Sequence, residues 1–313
     1  MIKDRIVFSL IFYIILFFTS CKIKDEKNSA INTNQLFFLN FFPKDSIKLQ
    51  YDNTAETEIE REINGEKTNV LNKIETGFIY KIKKDTTNTY AAILQYNKFK
   101  VYVKSNETDK ELDANSAINS YDPADRVLSV FKGAVISAII NSQGKVKSLA
   151  GIKEINDKMY ALSGDDPRSI EALKSFSKQY ASEDFFIKTI EQNFRYYPSK
   201  SINIGDSWEQ DDTVKSYIIL PIKTIYKLKS IEDGIATLSL SSNIEIKNQI
   251  LQDIGTTANI EGKQEGEIKI DIRKGYIQKS LTSLKLKGEI DINGIEVPIR
   301  ISMKDLTVGK ILN

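Results

Sequence analysis

The chain of 313 residues contains no histidine. Ser-His-Asp and Cys-His catalysis need an imidazole base, and many metal sites need imidazole ligands, so those classes are excluded. Cysteine is almost as scarce. Cys21 stands alone, and no intramolecular disulfide can form even in an oxidising compartment. Neither sign of charge prevails, with 44 Lys plus Arg against 42 Asp plus Glu. Phosphate neutralisation needs clustered Lys and Arg, and no basic stripe is present, so nucleic acid is not an expected partner. Tryptophan occurs once, at Trp208.

The first positive feature is an export address. Lys3 and Arg5 precede an apolar run over residues 6–18 broken only by Ser9. That run falls short of the ~20 residues of a spanning helix and suits the h-region of a signal peptide. Phe18-Thr19-Ser20-Cys21 follows and resembles the lipobox of bacterial lipoproteins, in which cleavage leaves the cysteine as an acylated first residue. Phe18 stands where Leu is usual; the other reading is an ordinary signal peptide with an incidental cysteine. An unpaired exported thiol would be a liability, which favours lipidation. One acyl chain binds a membrane only marginally and two or more anchor it, so the resemblance to triacylated lipoproteins implies a permanent tether at Cys21. Lys22 in place of Asp implies, by the same resemblance, the outer membrane, and residues 22–27 are similar to surface-export signals of Bacteroidota lipoproteins.

The expected division is a signal peptide at 1–20, a polar flexible tether at 21–35, an N-terminal β half at 36–150, a helical segment at 151–197 and a C-terminal β half at 198–313. In the first half, alternating residues lead to an Asn64-Gly65 turn, and β-branched and aromatic residues recur through 78–83 and 90–104. Residues 105–126 are rich in Asp and Asn and read as a long loop. Asp113 and Asn115 there suggest a calcium loop, but the required Gly and closing Glu are missing. A hairpin turns at Asn141-Ser142-Gln143-Gly144.

The period then changes. Ile152, Ile155, Met159 and Leu162 share a helical face; Asp166-Pro167 opens a second helix; Ser182 caps a third, running to Arg195, with Phe186, Ile190 and Phe194 on one face. Strands resume after Trp208. Leu284 to Ile292 and Ile295 to Met303 alternate about Asn293-Gly294, which predicts a sheet dry on one face and wet on the other. Three amphipathic helices need an apolar surface, and the dry strand face supplies it.

The halves also resemble each other. Phe41-Phe42-Pro43 with Ser46-Ile47 aligns without a gap on Tyr196-Tyr197-Pro198 with Ser201-Ile202, and Ile79-Tyr80-Lys81-Ile82-Lys83 aligns on Ile225-Tyr226-Lys227-Leu228-Lys229. Duplication and chance in an Ile- and Lys-rich chain are the two explanations.

Motifs of catalysis are weak. Gly205-Asp206-Ser207 invites comparison with GDS esterases, whose serine needs the absent histidine; a tight turn into a strand with Trp208 packed inward is the better reading. Ser142 with Lys145 and Ser175 with Lys178 have chance spacing and no accompanying KTG element. No spacing singles out two of the 42 acidic residues for glycoside hydrolysis. No catalytic residue, metal site or cofactor is expected.

Pro198 followed after six residues by Gly205-Asp206-Ser207-Trp208, with the preceding helices and the Asn64-Gly65 turn, resembles a family of Bacteroidota lipoproteins of unknown function carrying a GDSW element. Where relatives usually have Gly in the first strand's turn, this chain has Asp45. The resemblance brings no catalytic residues and implies an envelope protein. The expected fold is α+β: a mainly antiparallel curved sheet or half-barrel with a central helical segment on its apolar face, similar at fold level to lipoprotein carriers. Two functions are open: a non-enzymatic scaffold or interaction module with an envelope protein partner, or a carrier of lipid or another hydrophobic ligand. A continuous apolar cavity of ~300 Å³ or more between Phe186, Ile190, Phe194 and the strands would favour the carrier.

Overall fold

The computed structural model describes residues 46–312 apart from 64, 107, 117–122, 164–166, 195–196, 199, 216–218, 252–255 and 293. Cys21, the expected tether and the expected start of the β half at residue 36 lie outside the described residues. Strands β1 (Ile47–Ile63), β2 (Glu66–Lys84), β3 (Thr89–Lys104), β4 (Asp109–Asp113), β5 (Val135–Asn141) and β6 (Val146–Ala150) precede the main helical stretch. Helix α1 (Pro123–Leu128) intervenes before β5, and α2 (Ile152–Ser163), α3 (Pro167–Tyr180) and α4 (Glu183–Gln192) follow β6. The chain ends in β7 (Ser207–Lys215), β8 (Ile219–Glu232), β9 (Ile235–Leu251), β10 (Thr256–Asp271), β11 (Tyr276–Ile292) and β12 (Ile295–Ile311).

These strands form one open antiparallel sheet in the order β6-β5-β3-β2-β1-β12-β11-β10-β9-β8-β7, with β4 beside β3. Each half is a meander, and both run the same way across the sheet. Alternation explains the pairing. In β12, Val297, Ile299, Ile301 and Met303 are buried while the residues between them are exposed, so a one-residue slip would turn the whole apolar set outward. The two-residue turns are glycine-dependent: Gly65 and Gly294 both have φ of 81°, a backbone region open to glycine at no steric cost.

Two boundaries differ from expectation. Residues 105–126 are not one loop: β4 pairs with β3 from Lys100↔Asp113 to Lys104↔Asp109, and α1 begins at Pro123. Polar Asp and Lys residues obscured the strand, which lies at an edge where only one side needs pairing. The third helix of the central segment ends at Gln192 rather than Arg195, with Asn193 as its C-cap; its Ser182 cap is as expected, the hydroxyl accepting from the Phe185 N–H at 3.2 Å.

The end of the helical segment packs on the apolar face beside the central strands. Phe186, Ile190 and Phe194 are fully buried. Phe194 meets Tyr51 and Tyr80 edge-on at 5.9 and 5.4 Å, and Phe186 lies 6.2 Å from Tyr96. Polar groups at the end of α4 fasten it to three strands. Glu191 accepts from the Val146 N–H of β6 at 3.0 Å, Gln192 reaches Asp305 of β12 at 3.4 Å, and Asn193 donates to the Tyr80 hydroxyl of β2 at 3.0 Å. Val146 lies on the edge strand, so the Glu191 bond also occupies a backbone donor that could template foreign pairing.

The sheet's centre is where the first and last strands of the described residues meet, from Leu49↔Ile311 to Arg61↔Ile299. Tyr51 lies over Gly309, where an added Cβ would come within 2.6 Å of its ring, and its hydroxyl accepts from the Ile277 N–H of β11 at 3.2 Å. Gly309→Ala is therefore expected to destabilise the protein by about 2 kcal/mol or more, because neither the ring nor the Ile277 carbonyl, 2.0 Å from that Cβ, has room to move. Tyr51→Phe should cost less, about 1–2 kcal/mol, because it takes one acceptor from the buried Ile277 N–H and leaves the packing in place. Urea unfolding of the two variants checks the ranking, and an Ala variant as stable as wild type would contradict the packing described.

Candidate functional site

Three places hold the chemistry-bearing residues. The Gly205–Trp208 turn is structural. Gly205 has φ of 98°, and the Asp206 carboxylate accepts from the Asn203 N–H at 2.8 Å. The turn pairs with Leu228 through Gly205 N–H to the Leu228 carbonyl at 2.8 Å and Leu228 N–H to the Asp206 carbonyl at 3.0 Å. Trp208 is buried and stacks on Tyr226 at 5.6 Å. Ser207 is exposed at the start of β7. Ser142 and Lys145 sit in the β5–β6 turn, where the Asn141 side chain accepts from the Lys145 N–H at 2.8 Å, and Ser175 and Lys178 lie on α3. Asp113, the carboxylate that suggested a calcium loop, instead accepts from the Asn115 N–H at 2.9 Å and pairs with Lys100 at 2.7 Å.

The second place is a groove of about 940 Å³ at the far ends of the central strands. It is bordered by Glu60, Arg300, Lys287, Glu261 and Glu245, which register across β1, β12, β11, β10 and β9 as one lateral row. Ile246, Ile260 and Ile299 also border it but are only 4%, 4% and 6% exposed. Their side chains therefore point away, and the groove belongs to the charged face. Lys287 pairs with Glu261 at 2.9 Å and Lys247 with Glu245 at 2.5 Å. Arg300 stands beside Lys287 and Glu261 beside Glu245, placements that repel. Elsewhere on the same face Glu75 is held down to about 2 by hydrogen bonds from Lys73 and Lys98.

The third place carries no motif in the sequence. The buried face is crossed by a lane of polar residues. Gln210, Thr224, Ser242 and Gln264 are successive cross-strand neighbours on β7 to β10, and the Thr224 and Ser242 hydroxyls are 2.8 Å apart. Thr57 and Asn72 oppose each other on β1 and β2; both are buried, and neither the Thr57 hydroxyl nor the Asn72 amide has a hydrogen-bond partner. Asp305 lies one step along on β12. Burial pushes its carboxyl up to about 6 against the opposing bond from Gln192. In the sequence these residues occupy inward positions of otherwise apolar strands, and that parity was the available signal.

The sign of the Asp305 effect is fixed. Its native value lies above the ordinary 3.8, so the folded state holds the proton more tightly, and stability from this group is fullest below pH ~4 and is lost as pH rises through ~6. Two pH units correspond to about 3 kcal/mol. Asp305→Asn is expected to be more stable than wild type at pH 7.5 by about 1–3 kcal/mol and to flatten the pH dependence between 4 and 7. Urea midpoints without added salt at pH 4.5 and 7.5 check this; an unaltered slope would absolve Asp305.

The architecture is that of an open antiparallel sheet with a helical crossover packed on one face. Among the described residues no group of three His, Cys, Asp or Glu is placed to hold a metal, and no helix is long and apolar enough to cross a membrane. The chain belongs to a family of unknown function, DUF6263, which matches residues 87–277. No curated protein matches it. Among solved structures it is similar to a chain from a study of lipid-protein interactions in lipovitellin, with 10% identity, 87% of this chain and 25% of that chain covered, and a TM-score of 0.39. It thus spans a quarter of that chain's length. It is also similar to the CymD monoaromatic hydrocarbon channel, with 8% identity, coverage of 86% and 89%, and a TM-score of 0.16. Likenesses at these scores carry no functional argument.

Proposed function

We propose that this is a non-enzymatic cell-envelope lipoprotein, held on the outer membrane by acylated Cys21, which acts as an interaction module for a protein partner through its charged face. One observation carries the reading: the apolar face is already closed, with Phe194 packed on Tyr51 and Tyr80, Phe186 on Tyr96 and the inward residues of the C-terminal half, among them Leu238, Ile244 and Ile268, buried as well, while the open groove lies on the opposite, charged face. A carrier of hydrophobic cargo needs that arrangement reversed, since ligand pockets are predominantly apolar. The repulsive Arg300/Lys287 and Glu261/Glu245 neighbours support a surface kept for a partner, because a face selected for stability alone would alternate its signs.

Two measurements test this. Metabolic labelling with an alkyne fatty acid should mark the wild-type protein and leave Cys21→Ala unmarked and released from the membrane fraction; equal labelling of both would refute the anchor. Native mass spectrometry of residues 22–313, released by proteolysis from its own membrane fraction and purified without detergent, should give a clean apo mass. A reproducible adduct of lipid mass, lost on denaturation, would overturn the interaction reading and establish the carrier.

A further inference from the structure

Buried carboxylates among the described residues have firm partners, with one exception. Asp271 accepts from the Arg273 and Lys274 N–H groups at 2.9 and 3.1 Å and lies 3.8 Å from the Arg273 guanidinium; Glu191 accepts from Val146. Asp305, 9% exposed, has the long 3.4 Å contact from Gln192 and no Lys or Arg nitrogen of the described residues within 4 Å. An ionised carboxylate in such a place needs a positive charge or several strong donors.

Its cross-strand neighbours are small. Ala55 and Thr282 are its cross-strand neighbours on β1 and β11, and Gly266 follows Thr282 on β10, so the row beside the carboxyl is made of small residues. Thr57, 2% exposed, is the next inward residue after Ala55, and Asn72, 3% exposed, opposes it. The Thr57 hydroxyl and the Asn72 carbonyl are buried oxygens without partners, and the Asn72 amide nitrogen beside them is unpartnered too and would face away from a cation. Leaving such groups bare costs about 1–3 kcal/mol each, and a bound ion or molecule is the standard remedy. The donor set is one carboxylate with neutral oxygens around it, which balances a single positive charge; a divalent ion would want further carboxylates.

We infer that Asp305, Thr57 and Asn72 form an internal site for one monovalent cation, either an alkali-metal ion or the ammonium head of an amine. The site lies on the buried face and is independent of the charged groove and of the partner proposed for it. Oxygen atoms on three adjacent strands would then be tied together by the ion and the water around it at the sheet's central seam.

Thermal unfolding of the folded domain at pH 7.5 in equal concentrations of sodium, potassium, butylammonium or tetramethylammonium chloride tests the inference, with Asp305→Asn and Thr57→Val alongside. A melting temperature about 3 °C or more higher in sodium or potassium than in tetramethylammonium chloride, absent in Asp305→Asn and reduced in Thr57→Val, supports an inorganic occupant. A rise confined to butylammonium, again absent in Asp305→Asn, supports the amine source. Equal melting in all four salts, or a cation preference that persists in Asp305→Asn, overturns the site. If Asp305→Asn does not fold, Thr57→Val alone decides: an undiminished preference there overturns it.

Discussion

The fold depends on the seam between β1 and β12. These strands are separated by nearly the whole described chain, so their pairing closes a very long loop, and the entropy of closure must be offset by what the seam itself provides. Continuous pairing from Leu49↔Ile311 to Arg61↔Ile299 supplies the backbone bonds. Tyr51 supplies the lock. Its ring fills the space that Gly309 leaves empty, its hydroxyl reaches past β12 to the Ile277 N–H of β11, and Phe194 stands edge-on against it. One side chain thus joins three strands of both halves to the helical segment. Outward from the seam the neighbouring strands, apart from the β3–β5 pair that spans β4 and α1, are local hairpins that could register on their own, but the seam could not.

The same centre explains how the sheet carries polar residues on its buried face. Thr57, Asn72 and Asp305 are next to the seam, where long flanking strands keep them from slipping outward. Turning them to water would require a one-residue shift that also exposed Ile59, Ile301 and Met303, all buried on the same face. Apolar burial at ~25 cal/mol per Å² outweighs a few unsatisfied polar groups. The strands can therefore hold an unfavourable carboxyl in place, and register rather than hydrogen bonding is what keeps it there.

Much of this architecture was legible because the chain obeys period 2 and period 3.6 so plainly. The β11–β12 hairpin and the helical face of Phe186, Ile190 and Phe194 were both visible as alternation. The failures have physical causes. The strand β4 is short, polar and at an edge, so nothing in its composition needed a buried face. The order of strands depends on a contact between residues near 50 and 310, and no local pattern reports such a distance. The polar lane is hidden because a polar residue in a strand most often faces water: Asn72 lies between the inward Val70 and Ile74, and only the register places Asp305 on the buried face opposite Ala55 and Thr282. The groove was illegible because it arises from the arrangement of five strands, none of which marks it alone.

These faces therefore divide the functional argument between them. Beside the seam the apolar face is taken up by the aromatic contacts of α4 and the turn after it, and a large hydrophobic ligand entering there would displace Phe194 from both Tyr51 and Tyr80, undoing the lock on the seam. Loss of cargo and loss of stability would then be the same event. The charged face has no such coupling: Arg300 and Glu60 lie outside the core, and contacts made there leave the seam untouched. A partner could come and go from that face at little structural cost, which is the physical reason to place the proposed interaction there.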